Sequence, residues 1–280
     1  MRILRPRVQH GFTLIELLIS CAVLLIVLGS VFRYIAIAIQ RSQAEETKMD
    51  LTQQAREFVD EFERDLHQAG YPNCRSFDTG SNCPGNFTNI NIAAGLVYVS
   101  NTEIGFEGDV DGDGVVDEVW YRLIDSANNS PPTGTCPCTI QRSQMPKAAV
   151  NPWAQGVPPY TTYSQELQNV INSGVPAAGL AYGNGLPITG NPAFYVPLTT
   201  VKDYPVFSAY DQDGKPLDLP LQLSTLASDV NAMAKVKSVR LTINLMANAN
   251  NGYDMQTHVR PLMTLVGTGR VSNCYVLPCD

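Results

Sequence analysis

The chain has 280 residues, with 19 Lys plus Arg against 26 Asp plus Glu, a formal net charge of −7, and 44% hydrophobic residues. That length supports one large domain or two modest ones with a real core. The acidic body carries no Lys/Arg cluster, which argues against nucleic acid as a partner, because phosphate recognition needs grouped cations.

The amino terminus is the exception to this charge balance. Residues 1–11 hold Arg2, Arg5 and Arg7 and no acid, so removing these three positive charges takes the net charge from −7 to −10. From Phe12 to Phe32 the sequence is apolar, with Glu16 its one charge. A run of that length matches the ~20 residues a helix needs to cross a bilayer. The positive-inside tendency keeps residues 1–11 cytoplasmic and sends everything after Arg33 outward. Cysteine usage points the same way. Cys21 lies in the apolar run, and the other six fall in close pairs: Cys74 with Cys83, Cys136 with Cys138, and Cys274 with Cys279. An even number outside the membrane suits an oxidising compartment, and no C-x-x-C knuckle is present to hold zinc. Pairing neighbours gives Cys74–Cys83, Cys136–Cys138 and Cys274–Cys279 as the working connectivity, although Cys136–Cys138 closes a very small ring.

An ordinary secretory signal has a shorter apolar core and a small-residue cleavage site. Leu18-Ile19-Ser20-Cys21 has the form of a lipobox, but the apolar core continues through Ala22 to Leu28, which makes Cys21 a small helix residue. The third fate rests on Gly11-Phe12-Thr13-Leu14-Ile15-Glu16. With its short basic leader, this segment resembles the cleavage and methylation motif of type IV prepilins and type II secretion pseudopilins. The resemblance implies cleavage between Gly11 and Phe12 by a prepilin peptidase, and N-methylation of Phe12. It also implies that Glu16 pairs with the amino terminus of a neighbouring subunit and sets axial register. A carboxylate in an apolar membrane helix costs at least ~2–3 kcal/mol unless paired, so Glu16 is a functional candidate on physical grounds too. Snorkelling from the first turn is its compatible alternative.

No proline interrupts residues 12–70. Beyond the membrane, Leu51, Ala55, Phe58, Val59, Phe62, Leu66 and Ala69 recur at steps of three and four, the stripe of an amphipathic helix. Glu57, Asp60, Glu61 and Arg64 fill the opposite face, and Gly70 and Pro72 give the stop. A continuous helix would run ~85 Å at ~1.5 Å per residue. Strands are expected at 95–99, 104–106, 115–124, 204–210, 236–246 and 255–266, joined by Asp-Gly and Asn-Gly turns, with a short helix near 225–234. Residues 126–198, rich in Pro, Gly, Asn, Ser and Thr, read as a loop-rich insertion with one helical patch near 164–171. The fold class is therefore α+β and pilin-like: one long N-terminal helix on an antiparallel sheet. The division is a leader at 1–11, a transmembrane or filament-core helix at 12–39, and a head at 40–280.

The stretch Phe58 to Tyr71 resembles the end of the long helix in PilW-type minor pilins. The final hundred residues are similar in spacing, and the J-type pseudopilin of type II secretion shares the plan. This likeness implies a minor pilin that helps start or cap a pilus. Its partners would be other major and minor pilins, the prepilin peptidase and an inner-membrane assembly platform. It would be a single-pass inner-membrane protein with its head in the periplasm, later exported to the pilus surface.

Asp109, Asp111, Asp113, Asp117 and Glu118 crowd one Asp/Gly-rich segment. Calcium takes six to eight oxygens, and alternate Asp followed by Gly builds an oxygen-lined turn. Position twelve of an EF-hand-like loop falls on Trp120, where a bidentate Glu is expected. A metal-free hairpin turn is the alternative, and a calcium-dependent adhesin is the corresponding functional one. No required cofactor is expected. Catalysis is not expected either: the three histidines are His10, His67 and His258, and no H-E-x-x-H, G-x-S-x-G or P-loop occurs.

Overall fold

The computed structural model describes residues 13–73, 89–125, 127–132, 136, 138–148, 162–172, 205–224, 226–246 and 262–271. Residues 14–68 form one helix, α1 (Leu14–Gln68), of 55 residues. Nothing in this stretch breaks a helix, so two sequences of different character share one backbone. The helix stops where Ala69 turns extended and Gly70 takes φ 82°. Gly70 then donates its N–H to the Glu107 carbonyl at 2.8 Å and Ala69 bridges Gly108, so the chain passes from helix directly onto the sheet.

That sheet is antiparallel throughout. Its strands are β1 (Leu96–Val99), β2 (Glu103–Gly108), β3 (Asp117–Ile124), β4 (Cys138–Pro146), β5 (Ser164–Val170), β6 (Phe207–Tyr210), β7 (Leu221–Gln222), β8 (Ser238–Met246) and β9 (Leu262–Arg270). The order is β6-β8-β5-β4-β3-β2-β1-β7, with β9 on β8. One edge of β8 is covered by β9 along its whole length, while β6 and β5 meet it at Ser238–Leu241 and at Leu245 respectively. A second helix, α2 (Ala227–Ala234), leads into β8 and buries Met233. The architecture is the α+β, pilin-like arrangement expected from sequence.

Two expectations need correction. The segment read as an insertion contains β4 and β5, which join the two halves of the sheet rather than decorate it. The helical patch near 164–171 is a strand. Its apolar residues Leu167 and Val170 are spaced like a helix stripe because the strand bulges. Leu167 opposes Ile140 and Val170 opposes Cys138, so three steps on β5 match two on β4, with Asn169 at φ 62° taking up the extra residue.

The second half of α1 lies on this sheet through the predicted stripe: Leu51, Ala55, Phe58, Val59, Phe62, Leu66 and Ala69 are all buried. Phe62 meets Tyr121 edge-on at 5.3 Å between ring centroids and tilts against Phe207 at 5.7 Å. Such rings contribute about 0.5–1.5 kcal/mol each beyond area burial. Close approach depends on Gly267 and Gly269. A Cβ at Gly267 would stand 2.7 Å from Val59 Cγ1, and one at Gly269 would stand 2.5 Å from Leu66 Cδ2. The Glu63 carboxylate accepts the Thr268 N–H at 3.0 Å, so the helix also caps a backbone donor on the edge strand.

Candidate functional site

Among the described residues, the first half of α1 is not covered by the rest of the chain. Leu14–Gln43 is apolar and long enough to cross a membrane, and its most apolar stretch is entirely unburied. Leu14, Ile15, Leu18, Leu25, Ile26 and Phe32 all stand exposed. A helix that is apolar all round belongs in lipid or in a protein core.

Its start is held by a capping box. Thr13 is the N-cap; Thr13 N–H donates to Glu16 Oε2 at 3.0 Å, the Thr13 hydroxyl donates to the same oxygen at 2.9 Å, and Glu16 N–H donates back to Thr13 Oγ1 at 3.4 Å. The Glu16 carboxylate therefore satisfies the Thr13 amide at its own helix start, while Thr13 Oγ1 satisfies that of Glu16, and the carboxylate complements the positive end of the helix dipole. Thr13 is a site residue that the sequence reading missed, although T-x-x-E before an apolar run is its recognisable signal. Gly11 and Phe12 lie outside the described residues. So do Cys74, Cys83, Cys274 and Cys279, whereas Cys136 and Cys138 are disulfide-bonded and buried.

The acidic segment is the β2–β3 connection. Asp109, Asp111 and Asp113 converge, with one carboxylate oxygen of each within 4.8 Å of the others. Asp109 accepts the N–H groups of Gly112 and Gly114, Asp111 that of Asp113, and Asp113 that of Val115. The other two predicted ligands, Asp117 and Glu118, fall outside that group. Asp117 opens β3, buried, and accepts from Gln144 Nε2 at 2.8 Å; the same amide reaches Asp111 at 3.3 Å. Burial first, then Asp111, Asp113 and Asp109, push the Asp117 carboxyl up to about 6 against the Gln144 hydrogen bond. Glu118 follows Asp117 on a strand, so its side chain points to the opposite sheet face. Hard carboxylate oxygens fit calcium chemistry, and the clustered set is three aspartates rather than five carboxylates.

A polar row then runs from this loop to α1 on the helix-facing side of the sheet. Arg142 donates to Gln144 Oε1 at 2.8 Å and makes an ion pair with Asp65 Oδ2 at 2.8 Å. Tyr121 donates its hydroxyl to Asp65 at 2.8 Å and accepts from Arg142 Nε at 3.0 Å. Asp65 is buried on the helix face that packs on the sheet. Burial and the Asp65 charge hold the Tyr121 hydroxyl protonated far above its usual range. None of these residues was a predicted site. A lone Asp between apolar stripe positions was the one available signal, and it names no partner.

The family model of the prokaryotic N-terminal methylation motif matches residues 6–32. This is the signal carried by type IV pilin-like proteins and pseudopilins, a structural rather than an enzymatic class. No curated protein and no solved structure matches the chain.

Proposed function

We propose that this chain is a minor pilin of a type IV pilus, cut after Gly11, N-methylated on Phe12, and taking part in starting or capping the filament. The observation that carries this reading is the union of two facts. The methylation motif at residues 6–32 runs straight into a helix whose first half is apolar and unburied and whose second half is fastened to a sheet. In the membrane that first half faces lipid and anchors the chain. In the filament it packs against the same half of other subunits. Glu16 caps its own helix before assembly. During assembly the amine of a neighbouring mature Phe12 supplies a stronger, charged partner at similar depth, which offsets the cost of burying the carboxylate. The same chemistry serves a J-type pseudopilin in a secretion system, and a gene-neighbourhood comparison separates the two machines.

Glu16→Ala tests the pairing. Cleavage after Gly11 should persist while the chain disappears from sheared pili or piliation is lost. Normal pili containing the variant would overturn it. Mass spectrometry of the mature amino terminus should find N-methyl-Phe12.

A second reading, a calcium-supported head that contacts a surface partner, is favoured by the convergence of Asp109, Asp111 and Asp113. Calorimetric titration of the full chain in detergent with Ca2+ should give a binding isotherm that Asp111→Asn abolishes. A flat isotherm for the unaltered chain rejects this reading.

A further inference from the structure

On the sheet face turned away from α1, Lys147 Nζ stands 2.6 Å from Glu107 Oε2, both side chains being at most 1% exposed. Tyr121 faces the helix, so strand alternation puts Trp120 and Glu118, at odd spacings from it in β3, on this other face. Glu118 lies directly across from Glu107 in the β2–β3 register and is 2% exposed. Backbone bonds fix the reacting pair. Lys147 N–H donates to the Val116 carbonyl, Lys147 Nζ donates to the Ile92 carbonyl at 2.8 Å, and Glu107 Oε2 accepts the Ala94 N–H at 2.7 Å. Two carboxyls and one amine thus occupy a region of the sheet that water barely reaches.

Burying ionised groups is expensive, and an ion pair in such a place recovers that cost only in part. Condensation removes both charges. We propose that Lys147 and Glu107 join as an intramolecular amide, formed autocatalytically on the folded chain. Lys147 Nζ attacks Glu107 Cδ, the nitrogen–carbon bond forms, and a carbon–oxygen bond of the carboxyl breaks. The leaving oxygen takes the two protons that the ammonium gives up and departs as one water, with Glu118 passing a proton between them. No oxidant or second reactant enters. Condensation of these groups is unfavourable in dilute water. Here, fixed juxtaposition replaces a bimolecular encounter, and exclusion of water opposes the reverse reaction. The bond would tie β2 to the chain just beyond β4, spanning β3, and so brace the sheet next to the end of α1.

The test is tryptic peptide mapping of the purified full chain, reduced and alkylated. The peptides carrying Glu107 and Lys147 should appear joined, lighter than their sum by one water, with no cleavage after Lys147. Lys147→Arg should release them as separate peptides. Glu118→Gln, which keeps the shape of the side chain, should also leave them separate. Joined peptides in that variant would remove the proton-relay role. Separate peptides and ready cleavage after Lys147 in the unaltered chain would overturn the bond itself.

Discussion

The two halves of α1 share one unbroken backbone and have opposite relations to the rest of the molecule. Among the described residues, 14–39 are largely apolar around the axis and almost wholly exposed, whereas residues 51–69 confine their apolar groups to one stripe and bury all of it. The difference shows that helix propensity alone does not decide what a helix is for. Backbone continuity is supplied by the lack of prolines, and the fate of each half is set by how its apolar side chains are distributed around the axis. The first half must find its burial in lipid or in other subunits. The second finds it in its own sheet.

Substitutions can separate the halves. Phe62→Ala removes a fully buried ring between Tyr121 and Phe207 and should cost the head about 3–5 kcal/mol, read as a lowered thermal midpoint in detergent. Leu24→Ala, of similar chemistry in the exposed half, should leave that midpoint within the roughly 0.5 kcal/mol expected of a surface change. A matching loss at Leu24 would mean that the first half also packs on the head. Gly269→Ala forces a methyl against Leu66 and should cost about 1–3 kcal/mol by overpacking; an unchanged midpoint would show the helix free to lift from β9. The smallest effect concerns Glu61, at the margin of the packed half. Burial first, and then Glu166, hold its carboxyl above the usual value despite Arg142. An acid with a raised folded value contributes stability at low pH, and that contribution is lost as pH rises through the folded value. Glu61→Gln should therefore gain on the unaltered chain as pH climbs past about 4.3, the usual glutamate value. Equal pH profiles would place Glu61 in water.

Much of this plan was legible in the chain. Gly11 to Glu16 announces the motif through local residue types, and a stripe at steps of three and four needs only the helix period to become a buried face. The strands around 95–124 and 236–246 alternate cleanly enough to read. β4 and β5 did not, for two reasons. β4 carries polar residues on buried positions, with Gln141 and Ser143 buried and Arg142 paired with Asp65 of α1. In β5 a bulge at Asn169 turned a two-residue period into a three-residue one. The sequence groups Glu118 with the aspartates because neighbours in sequence look like neighbours in space, which a strand denies.

The sequence by itself determined the processing motif, the apolar and amphipathic halves of α1, and the α+β class, because each is written in local residue type and short periods. Only the tertiary structure decided that Asp65 meets Arg142 and Tyr121, that Lys147 meets Glu107, and that the supposed insertion joins the sheet. Those outcomes depend on strand register and on contacts between residues tens of positions apart, and no local pattern encodes which distant partner a buried charge will find.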